Sequence, residues 1–189
     1  MCKAGELSRI HKWHRYRTVS IRTREELKFM TTRRDAENKL TEHKRNFAEE
    51  LAAAADADLW EIVPLVPYTK EDLDYKNPKS RSSVEMKDPY ERPTIKMCTD
   101  TRHYKVIFLG FPIWWGVCPK LINSWIENND LTGKIMVPFA TSGSSQIAPA
   151  VDYLRKTYPD YKWEDGRLLN SYPEGFLTKW AASYKRQNR

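Results

Sequence analysis

Tyr104–Phe111 limits what this chain can fold into more than any other stretch. It carries Val106-Ile107-Phe108-Leu109 without a polar interruption before Gly110. An apolar run of strand length has no solvated side, so it belongs at the centre of a sheet covered on both faces. Such sheets are parallel, and their strands are joined by helices packed on the two faces. The flanking sequence supplies those helices in alternation. Lys44–Asp56 sets Phe47, Leu51 and Ala55 on one side and hands over at Asp56-Ala57-Asp58 to a strand at Leu59–Val63. Lys120–Asn128 is amphipathic through Leu121, Ile122, Trp125 and Ile126, and Thr132-Gly133 leads into a strand at Lys134–Ala140. Gln146–Tyr158 turns Ile147, Val151 and Leu154 inward, Trp163–Leu169 reads as a last strand, and a closing helix runs from about Pro173 to Tyr184. The pattern predicts an α/β domain with a doubly wound parallel sheet. Pro64–Pro93, with five prolines and little periodicity, is expected to be a long surface loop.

Charge divides the chain. Met1–Asn46 holds 13 Lys/Arg against 6 Asp/Glu, whereas the rest holds 19 of each, so the whole net charge of +7 lies in the first segment. Arg9, Lys12, Arg15, Arg17, Arg22 and Arg24 surround Trp13 and Tyr16 there. Without a recognition motif this reads as a solvated tail rather than a nucleic-acid or membrane arm. Residues 1–40 are therefore set apart as an atypical basic, disordered segment, and 41–189 as the folded domain. No apolar run reaches the roughly 20 residues of a membrane span, and no apolar stretch follows the N-terminal basic residues as in a secretory signal. A cytoplasmic address is expected, with no membrane and no nucleic acid as partner. Cys2, Cys98 and Cys118 are odd in number and widely spread, so they are expected to be reduced thiols. No His/Cys/Asp spacing suits a metal, and none is expected. His103 is read as a surface residue. No paired carboxylates, Ser/His/Asp order or phosphate-binding glycine loop supports a hydrolase, and no catalytic residue is assigned.

Ligands of open parallel sheets bind beyond the carboxyl ends of the strands. Two loops meet that description. In Pro112-Ile113-Trp114-Trp115-Gly116, two large aromatics directly follow the buried strand. Adjacent residues leaving a strand point to opposite sides, so one core cannot bury both indoles. At least one is expected to line a flat ligand, where stacking adds about 0.5–1.5 kcal/mol beyond the area it covers. The second loop, Thr141-Ser142-Gly143-Ser144-Ser145, is small and polar and lies between a strand and a helix. It could let backbone N–H groups approach a ligand, or it could simply cap the helix through Ser144 or Ser145.

Taken in order, these loops carry a resemblance. Phe108-Leu109-Gly110-Phe111-Pro112-Ile113-Trp114-Trp115-Gly116 and Pro138-Phe139-Ala140-Thr141-Ser142-Gly143 resemble the bacterial short-chain flavodoxin family. The likeness extends to Asp58-Leu59-Trp60-Glu61-Ile62-Val63-Pro64, Pro67-Tyr68-Thr69, Asp72-Leu73-Asp74-Tyr75 and Asn77-Pro78-Lys79-Ser80-Arg81-Ser82-Ser83, covering roughly 47–184. It implies a flavodoxin-like sheet of order 2-1-3-4-5 and noncovalent FMN, with Pro112–Gly116 and Thr141–Ser145 around the flavin ring. It also implies a redox role, as an electron carrier or a small flavin-dependent reductase serving a redox partner protein or a small electron acceptor. Oligomeric state is left open.

The front end departs from the family. Such proteins begin with a short apolar strand and a Ser/Thr-x-Thr-Gly-Asn-Thr loop around the FMN phosphate, which here would fall at Thr41-Glu42-His43-Lys44. Only Thr41 matches, and Glu42 stands in the glycine's place. Met30–Leu40 is too polar for a central strand. The usual first strand is thus expected to be missing or replaced. Arg17–Thr23, where Val19 and Ile21 alternate with Ser20 and Arg22, is the best replacement; otherwise residues 1–40 are not the family's native front end. The alternative function is a flavodoxin-fold remnant with weak or no FMN binding.

Overall fold

The computed structural model describes residues 17–23, 47–96 and 99–186. In chain order the elements are β1 (Arg17–Thr23), α1 (Phe47–Ala55), β2 (Asp58–Ile62), α2 (Arg81–Lys87), β3 (Tyr104–Pro112) and α3 (Lys120–Glu127). They continue with β4 (Ile135–Thr141), α4 (Ala148–Thr157), β5 (Lys162–Trp163), β6 (Arg167–Leu168) and α5 (Phe176–Arg186). The sheet runs β2-β1-β3-β4-β5, with β6 also on β4, and these strand pairs are all parallel.

The apolar run occupies the middle of this sheet because its two faces feed two cores. Ile107, Leu109 and Phe111 pack with Ile122, Trp125 and Leu154 of α3 and α4. Val106 and Phe108 pack with Leu51 of α1 and Leu177, Trp180 and Tyr184 of α5. The period of two along the strand therefore splits one continuous hydrophobic segment between opposite layers. Phe108 meets Trp180 edge-on at 5.3 Å and Tyr184 at 5.4 Å.

The place next to β3 is filled by Arg17–Thr23, so the first strand is replaced rather than missing. Val19–Thr23 pairs with Asp58–Ile62, and Thr18–Ile21 with Val106–Leu109 after a register shift at Arg17/Thr18. β2 and β3 would otherwise each present a row of unpaired backbone groups, which β1 satisfies. Met30–Leu40 and Thr41-Glu42-His43-Lys44 lie outside the described residues.

Two expectations need correction. Pro64–Pro93 is not wholly loop, because it contains the helix α2. That helix is short and is started by Ser80, whose Oγ accepts from Ser83 N at 3.3 Å. The strand expected at Trp163–Leu169 is broken into β5 and β6 by Gly166 at φ +71°. Among the described residues no helix is long and apolar enough to cross a membrane.

Candidate functional site

β3 and β4 pair in register up to Pro112 and Thr141, so the loops that follow leave the same rim of the sheet side by side. Ile113 N donates to Thr141 O at 2.9 Å, joining them directly. The first loop is a tight hairpin. Trp114 N and Val117 O, and Val117 N and Trp114 O, bond at 2.9 and 3.0 Å around Trp115 and Gly116. Both central residues have positive φ, +47° and +83°, as a type I′ turn requires. Glycine takes that conformation freely, but in Trp115 it costs roughly 1–2 kcal/mol.

The strain sends the two indoles apart. Trp114 turns to the buried Tyr68 and meets it edge-on at 5.6 Å. Trp115 is 52% exposed. Its indole overhangs a cleft of about 260 Å³ formed with Tyr75, Lys76, Pro78, Met86 and Lys87, and no residue of Thr141–Ser145 lines that cleft.

Trp114 is backed by a polar cluster. Tyr68 Oη donates to Glu85 Oε2, Arg81 Nε donates to Glu85 Oε1 at 2.7 Å, and the Arg81 guanidinium lies 4.1 Å from the Tyr68 ring centre. Arg81 also donates to Val66 O at 2.8 Å, tying α2 to the strand exit. Arg81→Met should leave the buried Glu85 carboxylate with Tyr68 alone. Since a quarter of the Arg81 side chain is exposed, the expected loss is about 2 kcal/mol, below that of a fully buried pair. Urea unfolding tests this, and the double variant Arg81→Met/Glu85→Leu should recover much of the loss.

In the hydroxyl loop the side chain that accepts is neither Ser144 nor Ser145 but Ser142. Its Oγ takes Ser144 N at 3.2 Å and Ser145 N at 2.7 Å. These two backbone donors are thus engaged within the loop. The helix α4 begins only at Ala148, with Ile147 as its cap and no side-chain cap bond, so the loop is not its cap. Thr141 is 2% exposed, and its Oγ1 has no hydrogen-bond partner among the described residues. An orphaned buried hydroxyl is uncommon and costs about 1–3 kcal/mol, so it calls for a reason.

Sequence reasoning missed Asn170. Its Oδ1 accepts from Ser142 N at 2.9 Å and its Nδ2 donates to Ser142 O at 2.7 Å, clamping the loop from across the sheet. The signal was available, since Asn170 directly follows the last strand at the rim where ligands bind. Cys118, two residues past the turn's glycine, is fully buried. Burial pushes its thiol up to about 12, with Lys120 pulling weakly the other way, so it is no thiolate nucleophile at neutral pH. His103 is exposed. Pro112 and Ile113 are thus brought beside Thr141, with Trp114, Trp115 and Gly116 in the hairpin that follows the first strand and Ser142, Gly143, Ser144 and Ser145 in the loop that follows the second, while Thr41 lies outside the described residues.

A five-place parallel sheet of order 2-1-3-4-5, with helices on both faces and paired loops at its carboxyl rim, defines the flavodoxin-like α/β proteins. The sequence profile described as flavodoxin matches residues 40–184, and the chain belongs to that family. A candidate flavoprotein from Bacteroides eggerthii shares 42% identity over 88% of this chain and 96% of its own, with a TM-score of 0.75. Another from Bacteroides uniformis shares 36% over 88% and 98%, also at 0.75. A Lactobacillus acidophilus flavoprotein crystallised in complex with FMN is 16% identical over 81% and 92%, at 0.56, a likeness of fold. No curated protein matches the chain.

Proposed function

We propose that this protein binds FMN noncovalently at the rim formed by Pro112–Gly116 and Thr141–Ser145, and serves as an electron carrier or a small flavin-dependent reductase. The observation that carries the reading is the Thr141 hydroxyl, buried without a partner among the described residues where the two loops join. A heteroatom of a planar ring seated at the junction, with the hydroxyl turned to it, would supply the partner that the described residues do not, and the small polar rim residues fit such a group. When bound, the flavin supplies the electron-accepting and electron-donating chemistry. The chain's own work is to orient and shield: the Trp turn gives an aromatic wall, and Asn170 and Ser142 fix the loop. A redox partner protein or small acceptor would complete the cycle, and a cytoplasmic address suits that role.

Titration of flavin-free protein with FMN and with riboflavin, followed by flavin absorbance and fluorescence, tests the reading. FMN should bind, and Thr141→Val should weaken it roughly fivefold to tenfold, the worth of one buried hydrogen bond. Stability of the flavin-free protein should be unchanged or raised by the same substitution, because an unsatisfied hydroxyl is removed. Absence of binding to either flavin sinks the proposal. Equal affinities for the two flavins favour a remnant that has lost phosphate recognition, the reading suggested by Glu42 in place of glycine.

A further inference from the structure

The segment 64–93 carries apolar surface that the rest of the domain leaves uncovered. Of the six large hydrophobic residues exposed among the described ones, five belong to it: Leu65, Val66, Tyr75, Val84 and Tyr90. Four of these border one cleft. Leu65 and Val66 line it together with Arg81, Glu85, Glu91 and Arg92. Val84 lies one turn of α2 beyond Arg81, and Tyr90 directly precedes Glu91. Val84 also follows the buried Ser82 by two residues, so the helical repeat turns it outward. The cleft under Trp115 takes Ser83, Met86 and Lys87 from this helix, so the two hollows lie on opposite flanks of α2. Leu65, Val66, Val84 and Tyr90 are 54%, 63%, 54% and 85% exposed, on the order of 500 Å² of accessible surface, a size that on a monomer is often functional.

From these observations we infer that this face pairs with the same face of a second copy of the chain, giving a symmetric dimer. Charge selects that occupant. In a two-fold contact a patch meets itself, so a surface of one sign would repel its own copy. Here the signs balance: residues 64–93 hold six Lys/Arg and six Asp/Glu, although the whole chain carries +7. At the cleft itself Arg81 is matched by Glu85 at 2.7 Å and Arg92 by Glu127 at 2.8 Å. A strongly acidic or basic partner would find nothing there to select it. The size agrees, since two such patches would bury about 1,000 Å² in total, the lower bound for a specific interface. The contact lies across α2 from the tryptophan turn, so it does not depend on the flavin reading.

Sedimentation velocity of the full chain over a range of concentrations tests this. A reversible monomer–dimer equilibrium is expected, half-dimerised at roughly 10–100 µM as suits so small an interface. The double variant Val84→Lys/Tyr90→Lys should weaken association at least about thirtyfold, because like charges then face each other across the two-fold axis. Both positions are exposed, so the variant should keep the circular dichroism of the parent. Thr178→Lys, which adds a charge to the exposed side of α5, should leave the dimer intact. Added salt should not loosen the dimer, since little of its attraction is ionic. Amide exchange across residues 81–91 should slow as protein concentration rises. A chain that stays monomeric at every concentration overturns the inference and leaves the face to an unlike protein. So does a dimer that survives the double lysine variant, or one that salt dissolves, because either would be held together elsewhere.

Discussion

Phe108→Ala should lower the free energy of unfolding by about 3–5 kcal/mol, a large share of the stability of a domain this size. Phe108 has no exposed surface and sits at the middle of the central strand. Its ring is gripped edge-on by Trp180 and Tyr184 of the closing helix, and each such contact adds about 0.5–1.5 kcal/mol to simple burial. Truncation removes both contacts and leaves a void between sheet and helix. Phe108→Leu, which keeps most of the volume, should cost clearly less. Urea denaturation with tryptophan fluorescence measures both. A loss under about 1 kcal/mol for the alanine variant would mean that α5 does not pack on β3 as described.

Gly166→Ala should cost about 2–4 kcal/mol, far beyond an ordinary surface substitution. Glycine is required there on two counts. Its φ of +71° is one that L side chains rarely adopt, and an added Cβ would lie 2.6 Å from the carbonyl oxygen of Pro138. Because the nearest of these atoms belongs to the β4 backbone, with Pro138 Cβ and Ile147 Cδ1 at 3.1 Å behind it, the chain must move away. The pairing of Arg167 and Leu168 with Phe139 and Ala140 would loosen, together with the bond from Leu169 N to Ala140 O at 2.8 Å. Asn170 would then lose its hold on Ser142. Denaturation reads the stability, and amide hydrogen exchange at Ser142 and Leu169 should accelerate in the variant. Wild-type stability with unchanged exchange would refute the account.

Much of the fold is legible in the sequence because its strongest signal, the run through Phe108, needs no context: only a doubly covered strand hides every residue. The two rim loops are legible for a related reason, since Trp114-Trp115 cannot both be buried and Thr141–Ser145 is too polar to be core. What eludes the sequence depends on distant partners. The helix α2 has only seven residues and is held by the Ser80 cap and by the bonds of Arg81 and Glu85 to Val66 and Tyr68. The broken last strand turns on one glycine meeting Pro138, 28 residues earlier. Ser142 as acceptor and Asn170 as clamp are likewise tertiary facts, since serine and asparagine carry no periodic signal. Arg17–Thr23 lies in a basic, weakly patterned segment, yet the open places beside β2 and β3 draw it into the sheet.

The grip of Asn170 on Ser142 bears on how a guest would be received. A short polar segment free in solvent must surrender many conformations when something settles on it, and that loss subtracts from affinity. Here both the N–H and the carbonyl of Ser142 are anchored by one side chain, and the Ser142 hydroxyl gathers the amides of Ser144 and Ser145. A ligand settling on this loop would meet a segment already held in one shape, so little ordering would remain to oppose complex formation.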